Sequence, residues 1–344
     1  MVKKNNRLTL VMFLILALVF TVVAPVTSVR AARNNSKLRI GLLKLSSSAP
    51  LFIGLSKGFF KDEGLDMDVQ WFEAAQPIAV ATASNKIDIG ATGITASFFN
   101  MIAGGQKLLI VAGKGRECKG FPSDAIVVAT GLWNNGVRKI KDLKGKRIGI
   151  TQIGSTFHYV IGRLLEAKGL SLNDVELVPL GSISAITASL QSRQIDAGVV
   201  PEPNSSQAIR AGYAKLITQA GDVIDYQSSA IFFSPDLVKN DRELAIKFLK
   251  AYIKTTRYYY DAVLTKKPGE HFGEVVDIIA KYTGSPADNI KVSLPYIDRN
   301  GDLLSNDIQT QIDWYFSHKM IEQSIASKEV ADTTLWNEAL KQMK

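Results

Sequence analysis

From Leu38 to about Val223 the sequence alternates between short, β-prone apolar runs and segments with helical periodicity, with hardly a break. A chain with that rhythm buries its strands in parallel sheets covered by helices. The pattern predicts strands over 38–43, 66–72, 87–90 and 108–112, with helices over 51–61, 76–84 and 94–103 between them. A loop rich in Gly, Lys and Pro follows over 114–123. The rhythm then restarts with strands over 125–129, 147–151, 175–179, 195–200 and 214–218, separated by helices over 156–168, 183–192 and 204–211. After Gly221 the composition changes: a short strand over 228–234 leads, at Pro235, into a long Lys-rich amphipathic helix through 264, and the rest is helical with breaks at Pro268, Gly284 and Pro295.

This organisation predicts an α/β fold of two lobes, with lobe 1 over 37–123 and 229–344 and lobe 2 over 124–228. The chain crosses between them near 120–126 and 222–230. Ligands of such sheets sit outside the carboxyl ends of the strands, and two crossings permit closure over a ligand.

Residues 1–31 describe an address. Lys3, Lys4 and Arg7 precede an apolar stretch over 8–24, and Val29-Arg30-Ala31 offers small residues where a signal peptidase cuts. The expectation is an exported, periplasmic protein, free or tethered by an uncleaved signal helix. Cys118 is the only cysteine, so neither a lipid-modified N-terminus nor an internal disulfide is expected. His158, His271 and His318 are scattered and lack metal-ligand spacing, so no metal and no cofactor is expected. The basic stretch over 138–147 lacks aromatic stacking partners, so it reads as a solvated face and nucleic acid is not expected as a partner. Asp298-Arg299-Asn300-Gly301-Asp302 imitates a calcium loop but has Leu303 and Gln309 at its sixth and twelfth places, which leaves an Asn-Gly turn. The aromatic runs 258–260 and 314–316 read as packing.

Candidate ligand contacts come from strand-to-helix junctions made of Gly, Ser and Thr, where free backbone N–H groups and hydroxyls converge. They are Ser46, Ser47 and Ser48; Thr92, Gly93 and Thr95; and Gly154, Ser155 and Thr156. His158, two residues into its helix, is expected to face the same cleft. Lys114 and Arg116 follow a strand end, and Arg116 is the preferred anion ligand because its fork bonds two oxygens. Glu202 could pair with a ligand amine or brace a hinge, and with a facing Arg116 it would suit a zwitterion.

Ordered blocks over about 38–260 resemble the exported substrate-binding proteins of ABC importers, in the branch of nitrate, taurine and alkanesulfonate binders and the thiamine-pyrimidine precursor proteins. They are Ala49-Pro50-Leu51 through Gly58-Phe59-Phe60-Lys61-Asp62-Glu63-Gly64-Leu65, Ile87-Asp88-Ile89-Gly90, Asp142-Leu143-Lys144-Gly145-Lys146-Arg147-Ile148-Gly149, Gly154-Ser155-Thr156-Phe157-His158-Tyr159, and Ile195-Asp196-Ala197-Gly198 with Glu202-Pro203. The resemblance implies a type II periplasmic-binding-protein fold and a ligand contact at Gly154-Ser155-Thr156. It implies a monomer that is not an enzyme, captures a small polar anion or organic solute, and delivers it to an ABC permease. The same fold hosts enzymes of thiamine-pyrimidine and menaquinone synthesis, and a sensor for a receptor kinase is a third reading; the iron-binding cysteine motif of the pyrimidine synthases is missing here.

Overall fold

The computed structural model describes residues 37–343. The expected export signal lies outside the described residues. Among the described residues ten strands form two five-stranded sheets. The first contains β1 (Lys37–Leu42), β2 (Asp66–Trp71), β3 (Ile89–Thr92), β4 (Leu109–Glu117) and β10 (Tyr226–Phe233), in the order β2-β1-β3-β10-β4. The second contains β5 (Asp124–Ala129), β6 (Arg147–Ile150), β7 (Glu176–Pro179), β8 (Ala197–Pro201) and β9 (Ala214–Gln219), in the order β7-β6-β8-β5-β9.

The sheets are mixed, where the alternating pattern had suggested parallel ones. β10 runs antiparallel to β3 and β4, and β5 runs antiparallel to β8 and β9. Both exceptions follow from the crossings. The chain leaves lobe 1 at the carboxyl end of β4 and returns to it from the carboxyl end of β9, so β5 and β10 each enter their sheet from the cleft side and run backwards. The two odd strands are the ones that join the lobes.

Each sheet is pinned by the same device at the amino ends of two neighbouring inner strands, β1 and β3 or β6 and β8. In lobe 1 the Arg39 guanidinium grips Asp88 through Nε to Oδ2 (3.0 Å) and Nη2 to Oδ1 (2.8 Å), while the Arg39 backbone N–H also donates to Oδ2 (2.9 Å). In lobe 2 Arg147 repeats this on Asp196 at 3.3, 3.0 and 2.8 Å. Each arginine also donates to a backbone carbonyl just before its aspartate, Asn85 O or Arg193 O, from a residue with positive φ. The Ile-Asp-Ile-Gly and Ile-Asp-Ala-Gly blocks therefore supply one anchor to each lobe.

Several boundaries differ from expectation for local reasons. The segment read as a loop from Lys114 continues β4 as far as Glu117, because β10 pairs with it throughout, with register shifts at Gln227/Ser229 and Ser229/Ala230. β10 itself starts at Tyr226, before the expected boundary at 229. The Lys-rich helix is two helices, Pro235–Asn240 and Arg242–Val263, split at Asp241, whose φ and ψ of −133° and 51° are not helical. The Asn-Gly turn stands: Asp298 Oδ1 accepts the N–H groups of Asn300 and Asp302. The helix Ser305–Ser317 crosses to lobe 2, where Trp314 Nε1 donates to both oxygens of Glu166 and the Tyr315 hydroxyl donates to Ser155 O. Trp314 and Tyr315 are buried as expected, whereas Phe316 is exposed. Among the described residues no helix is long and apolar enough to cross a membrane.

Candidate functional site

The carboxyl ends of both sheets meet, and three backbone hydrogen bonds close one lobe on the other: Ser46 N to Glu202 O (3.1 Å), Ala96 N to Gly154 O (2.9 Å) and Ile183 N to Glu73 O (3.3 Å). Two glycines allow this contact. A Cβ on Gly93 would lie 2.5 Å from Thr156 Cγ2, and Gly154, at φ +76°, would bring one to 2.9 Å from Ala96 Cβ. The same closure leaves a cavity of about 50 Å³ between the lobes. At on the order of 10–15 Å³ for one water, it holds about four waters, the bulk of a solute with a handful of heavy atoms.

Lobe 1 lines the cavity with Ser46, Ser47, Thr92, Gly93, Lys114, Ser228 and Ser229. Lys114 is 3% exposed, and its ammonium donates to Ser47 Oγ at 3.2 Å without meeting a carboxylate. Burial pushes its pKa down to about 7, with the charge of Asp124 acting in the opposite sense. The hydroxyls of Thr92 and Ser229 are buried and unpartnered. Lobe 2 contributes Ser123, Asp124, Thr151, Thr156 and Glu202. Burial raises the Asp124 carboxyl to about 7, and the nearby Glu202 adds to the rise. The backbone N–H of Asp124 donates to Glu117 Oε1 (3.1 Å), and Glu117 is pushed well up by burial and by Asp124. Glu202 accepts from the Ser206 N–H and hydroxyl at 3.2 and 3.0 Å, which ties it to the helix Asn204–Arg210.

Of the sequence candidates, Ser46, Ser47, Thr92, Gly93, Thr156 and Glu202 line this cavity. Six do not, each with a local cause. Ser48 turns its hydroxyl to Leu43 O. Thr95 and Ser155 cap helices, accepting from Phe98 N and His158 N. Gly154 serves the lobe contact and donates its N–H to His158 Nδ1 at 3.1 Å. That bond places the ring proton of His158 on Nε2, which is buried and unpartnered; the imidazole packs edge-on to Trp314, away from the cavity, and burial with His318 nearby pushes its pKa down to about 4. Arg116 is the sharpest departure. Its guanidinium holds Asp225 in a two-bond pair at 2.6 and 2.5 Å, and so ties the end of β4 to the residue before β10, bracing both crossings. Lys114, passed over in its favour, is the cation in the cavity. The usable signal was Gly113-Lys114-Gly115: glycines on both sides of a charge inside a strand leave room for neighbouring chain, and a Cβ on Gly113 would collide with Asp302 O at 2.2 Å.

The sequence matches the NMT1-like family over residues 31–268, well over half of its length. The chain belongs to the NMT1-like family. A protein of Bacillus subtilis strain 168, named as an aliphatic sulfonates-binding protein, is 26% identical over 318 residues, 90% of each chain. Two solved structures show the shared fold. The alkanesulfonate-binding protein SsuA of Xanthomonas axonopodis pv. citri, bound to MOPS, superposes with a TM-score of 0.72 at 20% identity over 88% of this chain and 99% of its own. The desulfurization enzyme DSZB gives 0.65 at 15% identity over 90% of this chain and 100% of its own. The periplasmic-binding-protein fold thus carries both a binder and an enzyme, and the residues of the cavity have to separate the two.

Proposed function

We propose that this chain is the extracytoplasmic solute-binding component of an ABC importer, taking a small anionic solute between its lobes and presenting the closed form to a membrane permease. The observation that carries the reading is Lys114, a buried ammonium without a carboxylate partner among hydroxyls contributed by Ser47, Thr92, Ser228 and Ser229. A buried cation in that position is costly until an anion joins it. The lining offers charges and hydroxyls for holding a solute, and the sulfonate-binding names of the relatives agree with an anion as that solute. Closure would follow because one ligand touches both lobes at once.

The test is a thermal-shift titration with ethanesulfonate, 2-aminoethanesulfonate and nitrate, run beside scattering. At a hundredfold excess over its Kd a bound solute adds about 2.7 kcal/mol to stability, and the scattering radius should fall or stay closed on binding. Lys114→Met should abolish the response and stabilise the unliganded protein by about 1–3 kcal/mol, as removal of an unpaired buried charge does. Mass spectrometry of the recovered solute should return it unchanged. Turnover, or a full response in Lys114→Met, would overturn the reading.

A further inference from the structure

The two walls of the cavity carry opposite charges. Lobe 1 presents the Lys114 ammonium, and lobe 2 presents the carboxyl groups of Asp124 and Glu202, yet no ion pair joins Lys114 to either acid. The acids are not equivalent. Each oxygen of Glu202 accepts one bond from Ser206, which holds this side chain to its own helix. Asp124 is 7% exposed, and its carboxylate accepts one long bond, from the Tyr226 hydroxyl at 3.4 Å. It has lone pairs to spare and faces the same space as the spare donors of Lys114.

We propose that the solute is a small zwitterion, with its anionic group on Lys114 in lobe 1 and a protonated amine on Asp124 in lobe 2. This rests on the binding-protein reading and narrows it. An anion without an amine would satisfy Lys114 and leave the spare acceptors of Asp124 facing the solute's own tail, whereas a molecule with both charges gives both walls a partner. The arrangement also lets the ligand add to closure: each lobe alone holds one end, so the dipole spans the cleft and joins the three backbone bonds between the lobes only when they meet. The amine would also take over the role of the proton that the Asp124 and Glu117 neighbourhood otherwise retains, since the two acids sit side by side with Glu117 Oε1 on the Asp124 N–H. The cavity volume limits the chain between the two charged groups to a few carbons.

Calorimetry on the purified protein with matched pairs tests this: 2-aminoethanesulfonate against ethanesulfonate, and 3-aminopropanoate against propanoate. The expected result is that the amine-bearing member of at least one pair binds about tenfold or more tighter than its amine-free partner. The two pairs distinguish a sulfonate from a carboxylate as the anionic end. Asp124→Asn, which keeps the shape and the Tyr226 contact, should shrink that ratio to within about threefold by weakening only the amine-bearing member. Amine-free anions binding within about twofold of their partners would overturn the zwitterion while leaving the anion-binding reading intact. Silence across all four would remove both. If Asp124→Asn fails to fold, the ratios on the natural protein decide alone.

Discussion

The two lobes are near copies at their backs and opposites at the cleft. At the back of each sheet an arginine, in β1 or β6, grips the aspartate just ahead of β3 or β8, with the same backbone bonds around it. At the cleft, lobe 1 offers a lysine among hydroxyls and lobe 2 offers acids. The contrast separates scaffold from candidate site, since the anchors hold strand ends in register whereas the rims of the cavity differ in chemistry. Even the copied anchors are not equally embedded: the Asp88 side chain is 1% exposed and the Asp196 side chain 20%.

That difference gives the largest expected effect. Asp88→Ala removes a buried carboxylate, leaving the Arg39 backbone N–H without its acceptor and the guanidinium with only its bond to Asn85 O, and should cost about 3 kcal/mol in urea unfolding. Asp196→Ala performs the same deletion where water reaches, and should cost about 1–2 kcal/mol. Equal losses would mean that burial does not grade the two anchors, and the comparison would break at its best-matched point.

The scaffold was readable for a physical reason. Strand-and-helix periodicity reports which face is buried, and the Ile-Asp-Ile-Gly and Ile-Asp-Ala-Gly blocks mark equivalent positions in the two sheets, so the α/β fold with its two sheets followed. The direction of β5 and β10 was not readable in the same way, because local pattern does not record which edge of a sheet the chain enters. The site was half legible. Ser47, Thr92 and Thr156 lie in junctions whose geometry follows from local sequence, whereas Lys114 and Asp124 acquire their meaning from burial that only the closed lobes produce. Arg116 had the better chemistry for an anion, and Asp225, distant in sequence, claimed it. His158 was assigned by its distance from a turn, but helix Ser305–Ser317, contributed from the far end of the chain, buries that side.

The smaller effect comes from this last asymmetry. The helix after the first strand of lobe 1, Ala49–Lys57, has no histidine, while its counterpart in lobe 2, Thr156–Glu166, buries His158 in neutral form. The ring faces Trp314, with His318 and Glu166 close by and themselves joined at 3.1 Å. Because the folded pKa of about 4 lies below the ordinary 6.5, the unfolded chain binds the proton more readily between those values. The stability tied to the neutral ring is therefore fully present above pH 6.5 and is lost as pH falls towards 4, by roughly 2–3 kcal/mol over the window. His158→Gln retains an acceptor for the Gly154 N–H and has nothing to titrate. Comparing the two proteins by urea unfolding at several pH values cancels the contribution of every other acid. The difference in their stabilities should shrink steadily as pH drops through the window, and a constant difference would show that His158 stays neutral for reasons unconnected with folding, or is charged already.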